Sequence, residues 1–308
     1  MRKFKDTKKP EFFLIGAPKC GTSSLTRYLS THPDIQFSYP KEPNYFNTDF
    51  SKKQRMFTDE TLYLNQCFHK AADKNIAGEG SVWYLYSKEA VPNILKFQPD
   101  AKFIVMLRNP VDVAYAMHST HLRNKVNENV DDFKKAWDLQ EIRMQGEHLA
   151  PDCRDPKLVQ YKEIAMFGKQ IKRLFNQVDK NQVKIILFED FIQDTKMVYE
   201  EVLEFLGLES DNRNTFPVIN ENKYAKSKTV SKIISKAGRS TPWILFIKSR
   251  LGIPKRKSIL RFISRLNKTP KKRKPLAPEF RKHLVNEFKN DVLLLQSLIN
   301  RDLSHWLD

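Results

Sequence analysis

Continuous apolar runs punctuate the first two thirds of the chain and stop abruptly. Phe12 to Ile15 runs into Gly16. Lys102 to Leu107 (KFIVML) runs into Arg108, Asn109 and Pro110, and Val183 to Phe188 (VKIILF) runs into Glu189 and Asp190. Runs of this length, ended by glycine or charge, predict strands buried on both faces of a sheet. Between them the spacing turns helical. Leu25 and Leu29 share one face of a helix predicted over Thr22 to Ser30. Further helices are predicted over 87–95, 111–121, 131–146, 157–175 and 200–206. Strands separated by long helices predict an α/β fold, a central parallel sheet flanked by helices in three layers. Ligands of such sheets bind beyond the carboxyl ends of the strands, where Gly16 to Ser24, Arg108 and Glu189 fall.

The pattern changes beyond Asn212 to basic helical pieces broken by Pro242, Pro254, Pro270, Pro275 and Pro278. Glu279 to Leu298 is strongly helical again, and the closing RDLSHWLD is expected to dock Leu303, Trp306 and Leu307 on the core. The organisation expected is one domain over residues 1–308. It has an α/β nucleotide-binding core over 10–210, a basic helical insertion over 211–275 and a closing helical segment over 276–308.

Composition sharpens this picture at one point. Apolar residues make up 40% and charged residues 29%, the balance of a folded protein. The net charge of +18 is far from balanced, and fields of that size favour anionic partners such as nucleotides or acidic glycans. Much of the excess lies between Lys223 and Arg281, densest at Lys271 to Lys274; a solvated face that aids solubility is the plainer reading. Cys20, Cys67 and Cys153 have no metal-knuckle or disulfide spacing. The basic N-terminus is followed by too brief an apolar run for a secretory signal, so a cytoplasmic protein is expected. The mixed apolar and basic stretch over 240–257 (STPWILFIKSRLGIPKRK) would suit peripheral contact with a membrane surface.

The segment with most chemistry is GAPKCGTSS, which follows the first apolar run and opens the first helix. Gly16 and Gly21 have the spacing of a phosphate loop, although Lys19 precedes the second glycine. Glycines let the backbone curl, amides at the helix start face an anion, and Lys19 adds charge while Thr22, Ser23 and Ser24 add donors. An ordinary strand-to-helix turn capped by threonine or serine is the alternative. No metal-ligand cluster stands out.

GAPKCGTSSLTRYLSTHPDI resembles the 5′-phosphosulfate loop of the PAPS-dependent sulfotransferase family, in its carbohydrate (heparan-sulfate-type) and bacterial branches. YPKEPNYFN is similar to a segment of the heparan-type members, and IVMLRNPVDVAYAMH to the 3′-phosphate segment. VKIILFEDFIQDTKMVYEEVLEFLGL and LAPEFRKHLVNEFKNDVLLLQSLINRDLSHWL resemble the later strand-helix module and the C-terminal closure. The order of these segments is the family's own, over Phe12 to Leu208 and Leu276 to Leu307.

The resemblance implies a P-loop-type fold that transfers a sulfuryl group from PAPS, without metal, to a hydroxyl or amine acceptor, most naturally a glycan that is itself anionic. Nucleic acid is not an expected partner. Lys19 would contact the phosphosulfate and stabilise charge during transfer. Cys20, Gly21, Thr22, Ser23 and Ser24 would cradle the same group, Arg108 would bind the 3′ phosphate and Tyr161 would hold the donor or shape its pocket. Glu42 matches the carboxylate that takes the acceptor proton, with Lys41 beside it. His118 is an alternative base and His32 a helix-end residue. Phe37, Tyr45 and Phe46 could line the acceptor cleft; Glu79, Trp83 and Tyr84 could contact the acceptor or support Glu42 from behind. Where members commonly carry an arginine and a serine after the 3′-phosphate arginine, this chain has Val113 and Ala116, and where some carry a lysine it has Gly80. Asn109 or His118 could compensate. A nucleotide-dependent kinase, needing magnesium and ATP, and a non-catalytic acidic-glycan or nucleic-acid binding protein on the same fold are the competing readings.

Overall fold

The computed structural model describes residues 8–68, 74–217, 223–225, 268–270 and 274–308. Its main sheet comprises β1 (Phe12–Gly16), β2 (Ile35–Phe37), β3 (Ile76–Gly80), β4 (Lys102–Leu107) and β5 (Val183–Leu187). These are ordered β2-β3-β1-β4-β5, and every pairing is parallel. All of β1 is buried, as a central strand covered on both faces must be. β1, β4 and β5 are the apolar runs of the sequence, except that Phe188 leaves the sheet to open the next helix.

β2 and β3 were not expected. β3 reads IAGEG, a poor strand composition by propensity, yet all of it is buried. Packing explains the choice at Gly78, which pairs with Phe12 of β1. A Cβ there would sit 2.1 Å from the Phe12 ring, so the ring occupies the space a side chain would need.

The helices flanking the sheet begin with α1 (Thr22–Leu29), α2 (Glu60–Cys67), α3 (Ala90–Phe97) and α4 (Pro110–Asn124). Asn109 caps α4 by accepting from the amides of Val111 and Asp112, with Pro110 at the first helical position. The expected helix over 131–146 is two short ones, α5 (Phe133–Asp138) and α6 (Gln140–Met144). The stretch over 157–175 divides into a 3-10 turn (Pro156–Val159), α7 (Tyr161–Ala165) and α8 (Phe167–Phe175). α9 (Phe188–Gln193), α10 (Thr195–Leu206) and the long α11 (Pro278–Ile299) complete the set. The division before α8 has a long-range cause. Asp291 of α11 accepts from the amides of Gly168 and Lys169 at 2.7 and 2.9 Å, capping a fresh helix start.

Leu303 and Trp306 are buried after α11, while Leu307 is half-buried. The Trp306 indole donates to Glu189 at 2.8 Å, and its carbonyl accepts from the Asn109 side chain at 3.1 Å. The C-terminus is thereby pinned to residues following β4 and β5.

Met1–Pro217 with Leu276–Asp308 form one compact unit, and Val218–Pro275 a second. In the second, the described residues are two antiparallel strands, β6 (Lys223–Ala225) and β7 (Lys268–Pro270). The basic helical pieces expected there, and the 240–257 stretch, lie outside the described residues. Among the described residues no helix is long and apolar enough to cross a membrane.

Candidate active site

The turn from β1 to α1 places Lys19 and Gly21 in left-handed backbone conformations, with φ of 66° and 90°. Gly21 is the cap of α1 and supplies no side-chain hydrogen bond, so the capped-turn alternative does not describe this turn. The opening amides of a helix lack intrahelical partners and carry partial positive charge, the arrangement an anion exploits. Thr22 is buried, whereas Ser23 and Ser24 are half-buried. Cys20 is fully buried with its sulfur 3.4 Å from the Pro18 carbonyl, and burial drives its thiol far above the usual range. It stays neutral and turned inward, which leaves its backbone as its contribution to the loop. The charge of Lys19 acts on both Cys20 and His121, and burial holds the His121 imidazole down at about 4. Lys19 therefore has a neutral histidine in its neighbourhood at physiological pH.

Arg108 stands at the carboxyl end of β4. Its guanidinium lies 4.8 Å from the centre of the Phe188 ring and donates to Asp112 at 3.0 Å. A Cβ on Gly21 would come within 3.1 Å of the same ring, so Phe188 links the loop to Arg108. The sequence places Phe188 at the end of the strand run VKIILF and gives it no role at the site. Val113 and Ala116, the two departures on α4, are both buried.

Glu42 follows a bend after β2 and has φ of 61°. Its amide donates to the Gly80 carbonyl at 3.0 Å, and its Oε2 accepts from the Val82 amide at 3.0 Å. Lys41 joins this carboxylate to the loop, because its Nζ lies 3.3 Å from Glu42 Oε1 and 3.3 Å from Ser23 Oγ. Two segments distant in sequence thus meet through one ammonium group.

Behind Glu42 is a buried polar cluster. Glu79 Oε1 accepts from Ser81 Oγ at 2.6 Å; its Oε2 accepts from the hydroxyls of Tyr63 at 2.7 Å and Tyr84 at 3.2 Å. Burial pushes the Glu79 carboxyl up to about 7, against the pull of these donors. Glu79 and Tyr84 are fully enclosed, which favours the second of their two readings, support behind Glu42. Trp83 is also buried, and Tyr63 had escaped notice because α2 carries no apolar periodicity to mark it.

Other candidates are placed in the core. Tyr161 donates to Glu128 at 2.6 Å, inside a buried cluster where Arg143 meets both oxygens of Glu128 at 2.7 and 2.8 Å. Its hydroxyl is committed there. His118 meets the Val130 carbonyl at 2.9 Å and is buried, with its imidazole held below the usual range by desolvation. Buried His32 lies past the Ser30 cap of α1, and its ring contacts the Glu209 carbonyl at 3.1 Å and the Asp34 amide at 3.1 Å, a hydrogen-bonded structural role. Asn109 is occupied at the α4 cap and at Trp306. Phe46 and Phe37 belong to the core, while Tyr45 stacks on Tyr63 at 4.5 Å. Among the described residues no group of His, Cys, Asp and Glu converges as a metal centre.

The family model described as "Sulfotransferase domain" matches residues 9–239. The chain belongs to the sulfotransferase family. This match bears out the family resemblance read in the sequence segments and disfavours the kinase reading of the loop. Human carbohydrate sulfotransferase 15 is 24% identical over 247 residues, covering 65% of this chain and 44% of that protein. Mouse bifunctional heparan sulfate N-deacetylase/N-sulfotransferase 4 is 26% identical over 205 residues, covering 65% and 22%. The chain thus spans less than half the length of those relatives. A crystal structure of a sulfotransferase from Alicyclobacillus acidocaldarius superimposes with a TM-score of 0.70 at 27% identity, covering 98% of this chain and 100% of that one.

Proposed function

We propose that the chain transfers a sulfuryl group from PAPS to a hydroxyl or amine of a glycan, with Glu42 as general base and Gly16 to Ser24 as a P-loop-type phosphosulfate cradle. The observation that carries this reading is Lys41, at 3.3 Å from both the base and the donor loop. When bound, PAPS supplies an activated sulfuryl group, whose bridge to the 5′ phosphate breaks as the acceptor attacks sulfur. Glu42 takes the acceptor proton on Oε1, while the Val82 amide holds Oε2. Protonation cancels the charge that Lys41 had faced, so the ammonium beside Ser23 becomes available to negative charge developing at the loop. Lys19 and the opening amides of α1 act on the same charge, and Arg108 takes the 3′ phosphate once it releases Asp112.

A carbohydrate acceptor is supported by the relatives, which are named for carbohydrate and heparan sulfate, and by the charge of +18. An anionic glycan suits the basic stretch over 211–275, set between the donor-binding core over 10–210 and the closing segment over 276–308. The test is transfer from radiolabelled PAPS to a panel of unsulfated and partly sulfated glycans. Labelled glycan is expected from the wild type. Glu42→Gln should lose about 10²–10⁴-fold in turnover with unchanged affinity for 3′-phosphoadenosine 5′-phosphate. Unchanged turnover would remove Glu42 as the base. No transfer to any glycan would remove the acceptor class.

A further inference from the structure

We propose that Glu79 is a positioning residue whose ionised carboxylate, acting through Ser81 and Tyr84, holds the Glu42 loop in its working shape. The inference rests on Glu42 being the base, but its physical content is separate and can be tested separately.

The segment after Glu42 has few regular backbone partners of its own. Glu42 and Asn44 both adopt left-handed conformations, with φ of 61° and 50°, which non-glycine residues hold only when their surroundings enforce them. Side-chain hydroxyls supply part of that enforcement. The Asn44 amide donates to Ser81 Oγ at 3.1 Å, and the amides of Tyr45 and Phe46 donate to the Tyr84 hydroxyl at 2.9 and 3.3 Å. Each hydroxyl in turn donates a hydrogen bond to Glu79, at 2.6 Å from Ser81 and 3.2 Å from Tyr84. A hydroxyl has one proton, so its lone pairs face the loop amides only while that proton points at the carboxylate. The third donor, Tyr63, adds its hydroxyl at 2.7 Å and its ring as the platform on which Tyr45 stacks.

Charge state is therefore part of the device. An ionised carboxylate accepts from all three hydroxyls, whereas a protonated one becomes a donor and must turn at least one of them around. The titratable groups facing Glu79 are Tyr63 and Cys67 from α2, Tyr84 beyond β3, and Glu42 itself, which opposes a second negative charge. Burial brings the Glu79 carboxyl to about 7. Its ionisation then falls near neutral pH, and a neutral core residue at this position could not supply the same alignment.

The experiment combines amide hydrogen exchange of residues 44–46 with turnover and with calorimetry of 3′-phosphoadenosine 5′-phosphate. Glu79→Gln keeps the shape and removes the charge. It should reduce protection of all three amides and lower turnover by roughly tenfold or more, with the affinity for the nucleotide unchanged. Ser81→Ala should expose Asn44 while sparing Tyr45 and Phe46; Tyr84→Phe should do the reverse. In the wild type, protection corrected for intrinsic exchange should fall as the pH is lowered through about 7, and this step should be missing in Glu79→Gln. Unchanged protection in Glu79→Gln, or equal loss across the whole chain, would overturn the proposal. If Glu42→Gln keeps full turnover, the base assignment fails, and the amide pattern still decides on Glu79.

Discussion

The two sides of the site are held by different means. On the proposed donor side, Lys19, Gly21, Ser23 and Ser24 lie within one short turn, and Phe188 ties that turn to Arg108. Its working parts are backbone amides and cations, half-open to a ligand. On the proposed acceptor side the Glu42 loop is braced by the hydroxyls of Ser81 and Tyr84, which themselves donate to buried Glu79 and lie 39 positions away in sequence where Tyr84 meets Tyr45. The comparison teaches that a cradle for one anionic group can be built within a single turn, whereas the orientation proposed for Glu42 rests on tertiary contacts.

The largest effect should come from breaking the acceptor side alone. Glu42→Gln is expected to remove about 10²–10⁴-fold of turnover, and calorimetry should show the nucleotide still binding as in the wild type. A loss of nucleotide affinity of similar size would mean that the two sides are not separable.

The donor side is broken by Arg108→Ala. Charge-assisted hydrogen bonds are worth about 1.5–3 kcal/mol, so binding of 3′-phosphoadenosine 5′-phosphate should weaken by roughly 10–100-fold. Adenosine 5′-phosphate should weaken much less in the same titration. Equal weakening of both would place Arg108 elsewhere on the nucleotide.

A thermodynamic comparison sharpens the role of Glu79. Between its ordinary value of 4.5 and about 7, the folded protein keeps a proton that the unfolded chain has already released. Stability therefore falls as pH rises through this window, with a limiting slope of about 1.4 kcal/mol per pH unit from this one group. Urea unfolding across the window should show that component in the wild type and its absence in Glu79→Gln.

The smallest expected change in function concerns the wall shared by both sides. Gly78→Ala pushes a methyl into the Phe12 ring between β1 and β3, an overpacking that costs about 1–3 kcal/mol. Denaturant midpoints should fall while the ratio of turnover to nucleotide affinity stays unchanged.

These contrasts also explain what could be read in advance. β1, β4 and β5 announce themselves because each is a continuous apolar run, and the donor loop because GAPKCGTSS is contiguous. β3 does not, since IAGEG owes its place to the Phe12 ring and to Glu79's hydroxyl partners rather than to strand propensity. Glu42 was reached through a family resemblance, and nothing in YPKEPNYFN by itself shows that Lys41 bridges to Ser23. Tyr161 is expected at the donor only through the family resemblance, whereas its hydroxyl belongs to the Glu128–Arg143 cluster. The split before α8 depends on Asp291, more than a hundred residues downstream, and no local spacing encodes it.

The central claim, a donor site for a 3′-phosphorylated adenine nucleotide built on Lys19, the α1 amides and Arg108, is tested most directly by calorimetry. Folded wild-type protein would be titrated with 3′-phosphoadenosine 5′-phosphate in the absence of magnesium, and with ATP in parallel. The account predicts selective binding of the 3′-phosphorylated nucleotide without any metal. Absence of binding, or binding of ATP at least as tight and dependent on magnesium, would contradict it.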